Sequence, residues 1–273
     1  MPQNNTALEL EGVSFSYEGR KDRVLDGITT RFARGELVGL VGKVGCGKST
    51  FLMCCNGLIP REVKGDFSGN VSMLGHDVSR TGVQEIARMC SFVFQDPQDQ
   101  IFNTTVLEEV KFGPIACGMG AKQAEAASRA AIREVGLPGF EELDPLELSA
   151  GQRQKVAIAC ALAQDSQVIL MDEPVSSLDW KSTMDIFDIL TRLAKNGKTI
   201  IIAEHDTEVL LENASRIIAI DSGSIVLDGK REVLFDPRIA KLGVRVPYIA
   251  RLANEMGITG DYETIKRRII QKF

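Results

Sequence analysis

Apolar residues in this chain gather into short runs, and the runs differ in pattern. Leu37-Val38-Gly39-Leu40-Val41, Val168-Ile169-Leu170-Met171 and Thr199-Ile200-Ile201-Ile202-Ala203 are continuous. Their length predicts strands covered on both faces. Leu8 to Tyr17 and Val24 to Phe32 predict two strands with a glycine-containing turn between them, and Gly69 to Leu74 predicts another. Ser91 to Phe94 reads as a further strand. Ser49 to Leu58 predicts a helix that stops near Gly57 and Pro60. A helical stretch follows from Thr105 to Gly136, where Lys122 to Val135 is rich in Ala, Glu and Arg. From Gln167 to Ile220 strands and helices alternate, as in a parallel sheet with crossover helices. Beyond Asp236 two short amphipathic helices are predicted, split near Gly257 to Asp261.

Composition narrows the class. With 44% hydrophobic and 25% charged residues over 273 positions, the chain has the make-up of a globular protein rather than a disordered one. The formal net charge of −5 argues against a basic nucleic-acid surface as its main feature, so no nucleic-acid partner is expected. Lys266, Arg267, Arg268 and Lys272 alternate with Ile269, Ile270 and Phe273 and read as the polar face of a terminal helix. The opening MPQNNTALELEG lacks the basic start and apolar centre of a signal peptide. No apolar run approaches the roughly 18–20 residues that cross a bilayer, so any membrane part is expected from a partner. Six cysteines (46, 54, 55, 90, 117 and 160) show neither C-x-x-C nor a pattern with histidine, and free thiols are expected. The two histidines are His76 and His205; His76 falls in a predicted turn and receives no role.

The first chemical signal is Gly42-Lys43-Val44-Gly45-Cys46-Gly47-Lys48-Ser49-Thr50, which matches G-x-x-x-x-G-K-[ST]. Four constrained positions recur by chance in about one chain in a hundred of this length. Here the match follows a predicted strand and opens a predicted helix, the context that gives it meaning. Glycines let backbone N–H groups converge on phosphate oxygens, and the helix start favours an anion. Lys48 would reach the β- and γ-phosphates of ATP, and the Ser49 hydroxyl would bind Mg²⁺. Cys46, inside the loop, reads as a tolerated small residue.

The run at 168–171 ends in Asp172-Glu173-Pro174. Alone, the two carboxylates read equally well as a charged strand end. With a phosphate loop upstream, Asp172 would hold the Mg²⁺ shell and Glu173 would polarise the attacking water. The run at 199–203 ends in Glu204-His205-Asp206, which places His205 at a strand's carboxyl end, where it would donate to a γ-phosphate.

Leu148-Ser149-Ala150-Gly151-Gln152 opens a helix and resembles the LSGGQ signature of ABC ATPases. Ala150 departs from it, standing where the family has its first glycine. Other landmarks fall in order. Tyr17 resembles the aromatic that stacks on adenine, against the alternative of an ordinary strand tyrosine. Gln95 resembles the glutamine that senses Mg²⁺ and water. Ser177-Leu178-Asp179 resembles the D-loop that crosses the dimer interface, with Trp180 where a proline is usual. Lys43 and Val44 also depart from the usual small or polar residues. The resemblance runs from about Leu8 to about Leu234. A narrower likeness, to the ATPases of energy-coupling factor (ECF) and cobalt-type transporters, rests on Phe94 to Phe102 and Val106 to Pro114.

This resemblance implies an α/β P-loop NTPase (RecA-like) core with an N-terminal antiparallel β-subdomain, a helical subdomain at about 101–165, and a short helical tail. The boundaries expected are 7–236 for the ATPase domain and 237–273 for the tail. It implies an ATP hydrolase at the cytoplasmic face of the membrane. The expected partners are a second ABC ATPase, identical or paralogous, an integral transmembrane subunit, and a substrate-binding membrane subunit. Ser149, Gly151 and Gln152 would complete the ATP site of the opposite copy. The cargo class implied is a vitamin or transition-metal ion. The alternatives are another ABC transporter class and a soluble ABC ATPase; the signature helix and Glu173 weigh against a phosphate-loop kinase or GTPase.

Overall fold

The computed structural model describes residues 5–272, so Phe273 and the first four residues of the leader reading lie outside it. Its first sheet is antiparallel throughout. β1 (Thr6–Tyr17) lies between β2 (Leu25–Ala33) and β4 (Gly65–Met73), with β5 (His76–Asp77) at the edge. Between β2 and β4 the chain makes β3 (Leu37–Val41), α1 (Lys48–Cys55) and α2 (Leu58–Arg61). After β5 come α3 (Val83–Met89) and β6 (Cys90–Val93). Three helices then form the insertion: α4 (Val106–Ala116), α5 (Ala121–Glu134) and α6 (Ala150–Ala163). The chain returns through β7 (Val168–Asp172), α7 (Trp180–Lys195), β8 (Thr199–Ala203), α8 (Thr207–Asn213), β9 (Arg216–Asp221) and β10 (Ser224–Lys230). The last helices are α9 (Arg238–Lys241), α10 (Tyr248–Glu255) and α11 (Tyr262–Ile270).

The second sheet runs β10-β9-β3-β8-β7-β6, parallel except for the β9–β10 pair. The continuous apolar runs exist because both faces of this sheet are covered. Val41, Ile169, Met171, Ile200 and Ile202 face the core shared with the helices. Val38, Leu40, Leu170, Ile201 and Ile218 face the core shared with the antiparallel sheet. Each such side chain, fully withdrawn from water, contributes about 1.5–3 kcal/mol before entropy is counted.

Several predicted boundaries move, each for a local reason. The helix predicted over 49–58 ends at Cys55, where Gly57 turns left-handed with φ +75°. Pro60 lies within α2 rather than stopping a helix, and Ile59 before it is extended (φ −97°, ψ 128°), as a residue preceding proline prefers. The strand predicted at 69–74 starts at Gly65, because Gly65 pairs with Tyr17. His76 leaves its predicted turn to pair with Met73. The stretch 105–136 is two helices, broken where Gly118 has φ +88°. The tail carries α9 in addition to the two helices predicted, with Ile239 buried in the main core.

Candidate functional site

Strands β3, β8, β7 and β6 lie side by side and point the same way. Their register sets Leu40 opposite Ala203, Ala203 opposite Asp172, and Met171 opposite Val93. Four nominated segments therefore leave the sheet at one level: the phosphate loop, Glu204-His205, Asp172-Glu173 and Gln95. Carboxyl ends of parallel strands are where such sheets bind ligands.

A cleft of about 400 Å³ opens there, and Tyr17, Gly45, Gly47, Lys48, Ser49, Thr50, Gln95 and Glu173 are among the residues that line it. Gly42 and Gly47 are dictated by space. A β-carbon at Gly42 would stand 2.4 Å from the Ile220 carbonyl oxygen, and one at Gly47 2.8 Å from that of Val24. Gly47, with φ +111°, caps the start of α1. Lys48 is buried and its Nζ donates to the carbonyl oxygens of Gly42 (2.9 Å) and Lys43 (3.4 Å). Cys46 is buried in the loop, and burial pushes its thiol pKa up. Val44 is exposed at the loop's tip, and Lys43 reaches Asp221 at 3.2 Å. The Tyr17 hydroxyl and the Thr50 Oγ1 share a hydrogen bond of 2.8 Å, which ties the β1 end to α1.

Glu173 sits between two nominated groups. His205 Nε2 lies 2.8 Å from its Oε1, and Gln95 Nε2 donates to its Oε2 at 3.3 Å. Its backbone is left-handed at φ +48°, an uncommon state for a residue with a β-carbon. Asp172 is deeper. Burial raises its pKa, opposed first by the Ser49 hydroxyl, and among the described residues its buried Oδ1 has no hydrogen-bond partner. A buried orphan carboxylate oxygen beside a serine hydroxyl fits a hard, oxygen-seeking cation such as Mg²⁺.

Ser149 caps α6 in a reciprocal box. Its Oγ accepts from the Gln152 N–H (3.3 Å), while Gln152 Oε1 accepts from the Ser149 N–H (2.9 Å). Ala150 is the first residue of that helix, where a β-carbon brings no strain. Gly151 permits close approach to α7, since a β-carbon there would lie 2.8 Å from Ser182 Oγ. None of Ser149, Gly151 and Gln152 lines the cleft of their own chain. Trp180 opens α7, whose cap is Asp179, and is exposed.

Arg20 and Val24 also line the cleft and escaped sequence reasoning. The turn after β1 brings them in, and a basic residue three positions beyond Tyr17 was the available clue. Among the described residues, no helix is long and apolar enough to cross a membrane.

The ABC transporter family model matches residues 25–176. The EcfA2 ATP-binding protein of an energy-coupling factor transporter from Methanospirillum hungatei is 37% identical over 257 residues, covering 93% of this chain and 63% of that protein. This chain spans 92% of the length of one curated relative and about half of several others. Among solved structures, CbiO1 of Clostridium perfringens, part of the CbiONQ transporter complex, superposes with a TM-score of 0.77 at 28% identity, over 92% of this chain and all of that one. A dimeric ATP-binding cassette in a post-hydrolysis state with ADP and Pi gives a TM-score of 0.71 at 28% identity, over 82% of this chain and 98% of that one. With the strand-end cleft, the phosphate loop and the capped signature helix in one chain, these matches have a single meaning: the protein belongs to the ABC transporter family, as an ATP-binding cassette that hydrolyses ATP.

Proposed function

We propose that this chain powers an importer of the ECF type, moving a vitamin or transition-metal ion through separate membrane subunits. The observation that carries the hydrolytic part is the seat of Glu173, between Gln95 and His205 at the rim of the cleft that holds Lys48 and Ser49. Adenine rests on Tyr17, and the β- and γ-phosphates rest on the N–H groups of 42–48 and on Lys48. Lys48 Nζ exchanges its carbonyl partners for phosphate oxygens. Ser49, Asp172 and Gln95 are the residues to hold Mg²⁺, which when bound draws charge from the phosphate oxygens. Glu173 takes the proton of the attacking water, and His205 donates towards the γ-phosphate. Ser149, Gly151 and Gln152 of a second copy, identical or paralogous, close over the nucleotide. ATP favours closure only by binding the closed form better.

The importer class rests on the EcfA2 and CbiO1 likenesses and on the loop from Phe94 to Phe102. Phe102 of that loop and Phe112 of α4 are exposed and meet edge-to-face at 4.9 Å, an apolar surface for a helix of the transmembrane subunit. Residues 7–236 form the ATPase unit and 237–273 a tail, at the cytoplasmic face of the membrane. The test is expression with the membrane proteins encoded beside it. Recovery with a small substrate-binding membrane subunit, and cargo-stimulated hydrolysis in proteoliposomes, are expected. Recovery with another permease class, or only in ribosomal or DNA fractions, overturns the ECF reading and leaves ATP hydrolysis standing.

A further inference from the structure

Glu204 has no part in the chemistry above, yet its side chain is placed among the parts that do. It is 2% exposed and, among the described residues, makes no ion pair. Withdrawing a carboxylate from water in this way is costly, and burial pushes its pKa up to about 7. Two backbone groups offset that cost. Oε1 accepts from the Val175 N–H at 3.2 Å, and Oε2 accepts from the His205 N–H at 2.9 Å. The Glu204 N–H donates to the Leu40 carbonyl (3.1 Å), on the strand that leads into the phosphate loop. On the neighbouring strand, the Glu173 N–H donates to the Ala203 carbonyl (2.8 Å).

We propose that Glu204 is a positioning residue for hydrolysis: its two oxygens fasten the loop that carries Glu173 to the loop that carries His205, so that this pair is assembled before nucleotide arrives. The proposal rests on the ATPase reading of the site. Glu173 holds a left-handed backbone that neighbours must maintain, and Val175 is two residues along the same loop. Two N–H donors arrive from different segments and each meets its own oxygen of one carboxyl group, which a side chain with a single acceptor atom does not reproduce. A glutamine has one acceptor oxygen and turns an N–H towards an N–H. An aspartate keeps the charge but is a methylene too short to span both donors. Glu204 lies outside the cleft that holds Tyr17, Lys48 and Ser49 and lines the adjoining one with Val175 and His205. Its loss is therefore read in turnover and not in ATP affinity.

The test is steady-state ATP hydrolysis by the full chain and by Glu204→Gln and Glu204→Asp, alongside the binding of a fluorescent ATP analogue. Each variant is expected to lose about tenfold or more in kcat, because the reacting pair is misplaced by a fraction of an ångström. Each is expected to keep its analogue affinity within about twofold, which also reports that the variant has folded. Should Glu204→Gln fail to fold, Glu204→Asp carries the same comparison. A kcat equal to the native value in a folded variant overturns the proposal. So does a fall in affinity matching the fall in kcat, which makes Glu204 a general prop of the fold. A native chain that binds ATP without hydrolysing it, both alone and together with a paralogous cassette encoded beside it, sinks the ATPase reading itself, an outcome distinct from the other two.

Discussion

His205 Nε2 and Glu173 Oε1 stand 2.8 Å apart, at the ends of adjacent parallel strands. The ring N–H is thereby directed at the oxygen proposed to take the proton from water. Replacing Glu173 by glutamine removes the base and leaves the phosphate loop intact. Turnover by Glu173→Gln is expected to fall by at least about a hundredfold, the scale of a lost general base. ATP should still drive two copies together, as read by size-exclusion chromatography. Native turnover in this variant would take Glu173 out of its role.

Lys48 is the buried cation of the phosphate loop, and in this structure its Nζ donates to two of the loop's own carbonyls. Lys48→Ala removes both the charge and that internal brace. Affinity for ATP measured by calorimetry should fall at least about tenfold, in line with the loss of one charge-assisted contact. Unchanged binding would discredit the assignment of 42–50 to phosphate.

Trp180 is the chain's sole tryptophan and is 59% exposed, directly after the Ser177–Asp179 loop proposed to face a second copy. ATP added to Glu173→Gln should shift its emission to shorter wavelength as the ring leaves water. The same addition to Lys48→Ala should not. A dimer that forms with unchanged emission would place this loop away from the interface.

The central strands and the charged residues that close them were legible because each run is continuous and apolar, as at Met171-Asp172-Glu173. The phosphate loop was legible because spacing and context agree. Partnerships across the chain were not. Gln95 and Glu173 are separated by 78 residues, and only the order of β6 and β7 brings them together. The role of Glu204 was equally hidden, since periodicity reports which face is buried and not which backbone N–H groups converge there. The same holds for Thr207, whose hydroxyl donates to the Arg245 carbonyl at 2.6 Å and binds the tail to the helix after His205.

Glu109 is buried, and its Oε2 accepts from Phe102 N–H (3.1 Å), Asn103 N–H (2.9 Å) and Asn103 Nδ2 (3.0 Å). This fixes the loop that presents Phe102 beside Phe112. Phe102→Ala should reduce the ATPase recovered with solubilised membrane subunits, while the edge-to-face contact it deletes is worth about 0.5–1.5 kcal/mol beyond the area lost. Undiminished recovery would move the membrane contact to another face of the molecule.

Glu204 also makes a prediction about stability and pH. Its pKa in the fold is about 7, above the ordinary value of 4.5, because burial disfavours the charged form. Folding therefore favours the protonated carboxyl. The stability this group supplies is complete below about pH 4.5 and is lost as pH rises through about 7. Between pH 5 and pH 8 the loss amounts to roughly 2–3 kcal/mol, on the scale of 1.36 kcal/mol per pKa unit. Glu204→Gln cannot titrate here, so the comparison isolates this one carboxyl group. The melting temperature of the native chain minus that of Glu204→Gln should thus fall by roughly 5 °C from pH 5 to pH 8. A difference that stays flat across that range would mean the carboxylate is already ionised at pH 5, held there by its two backbone donors more strongly than burial opposes it.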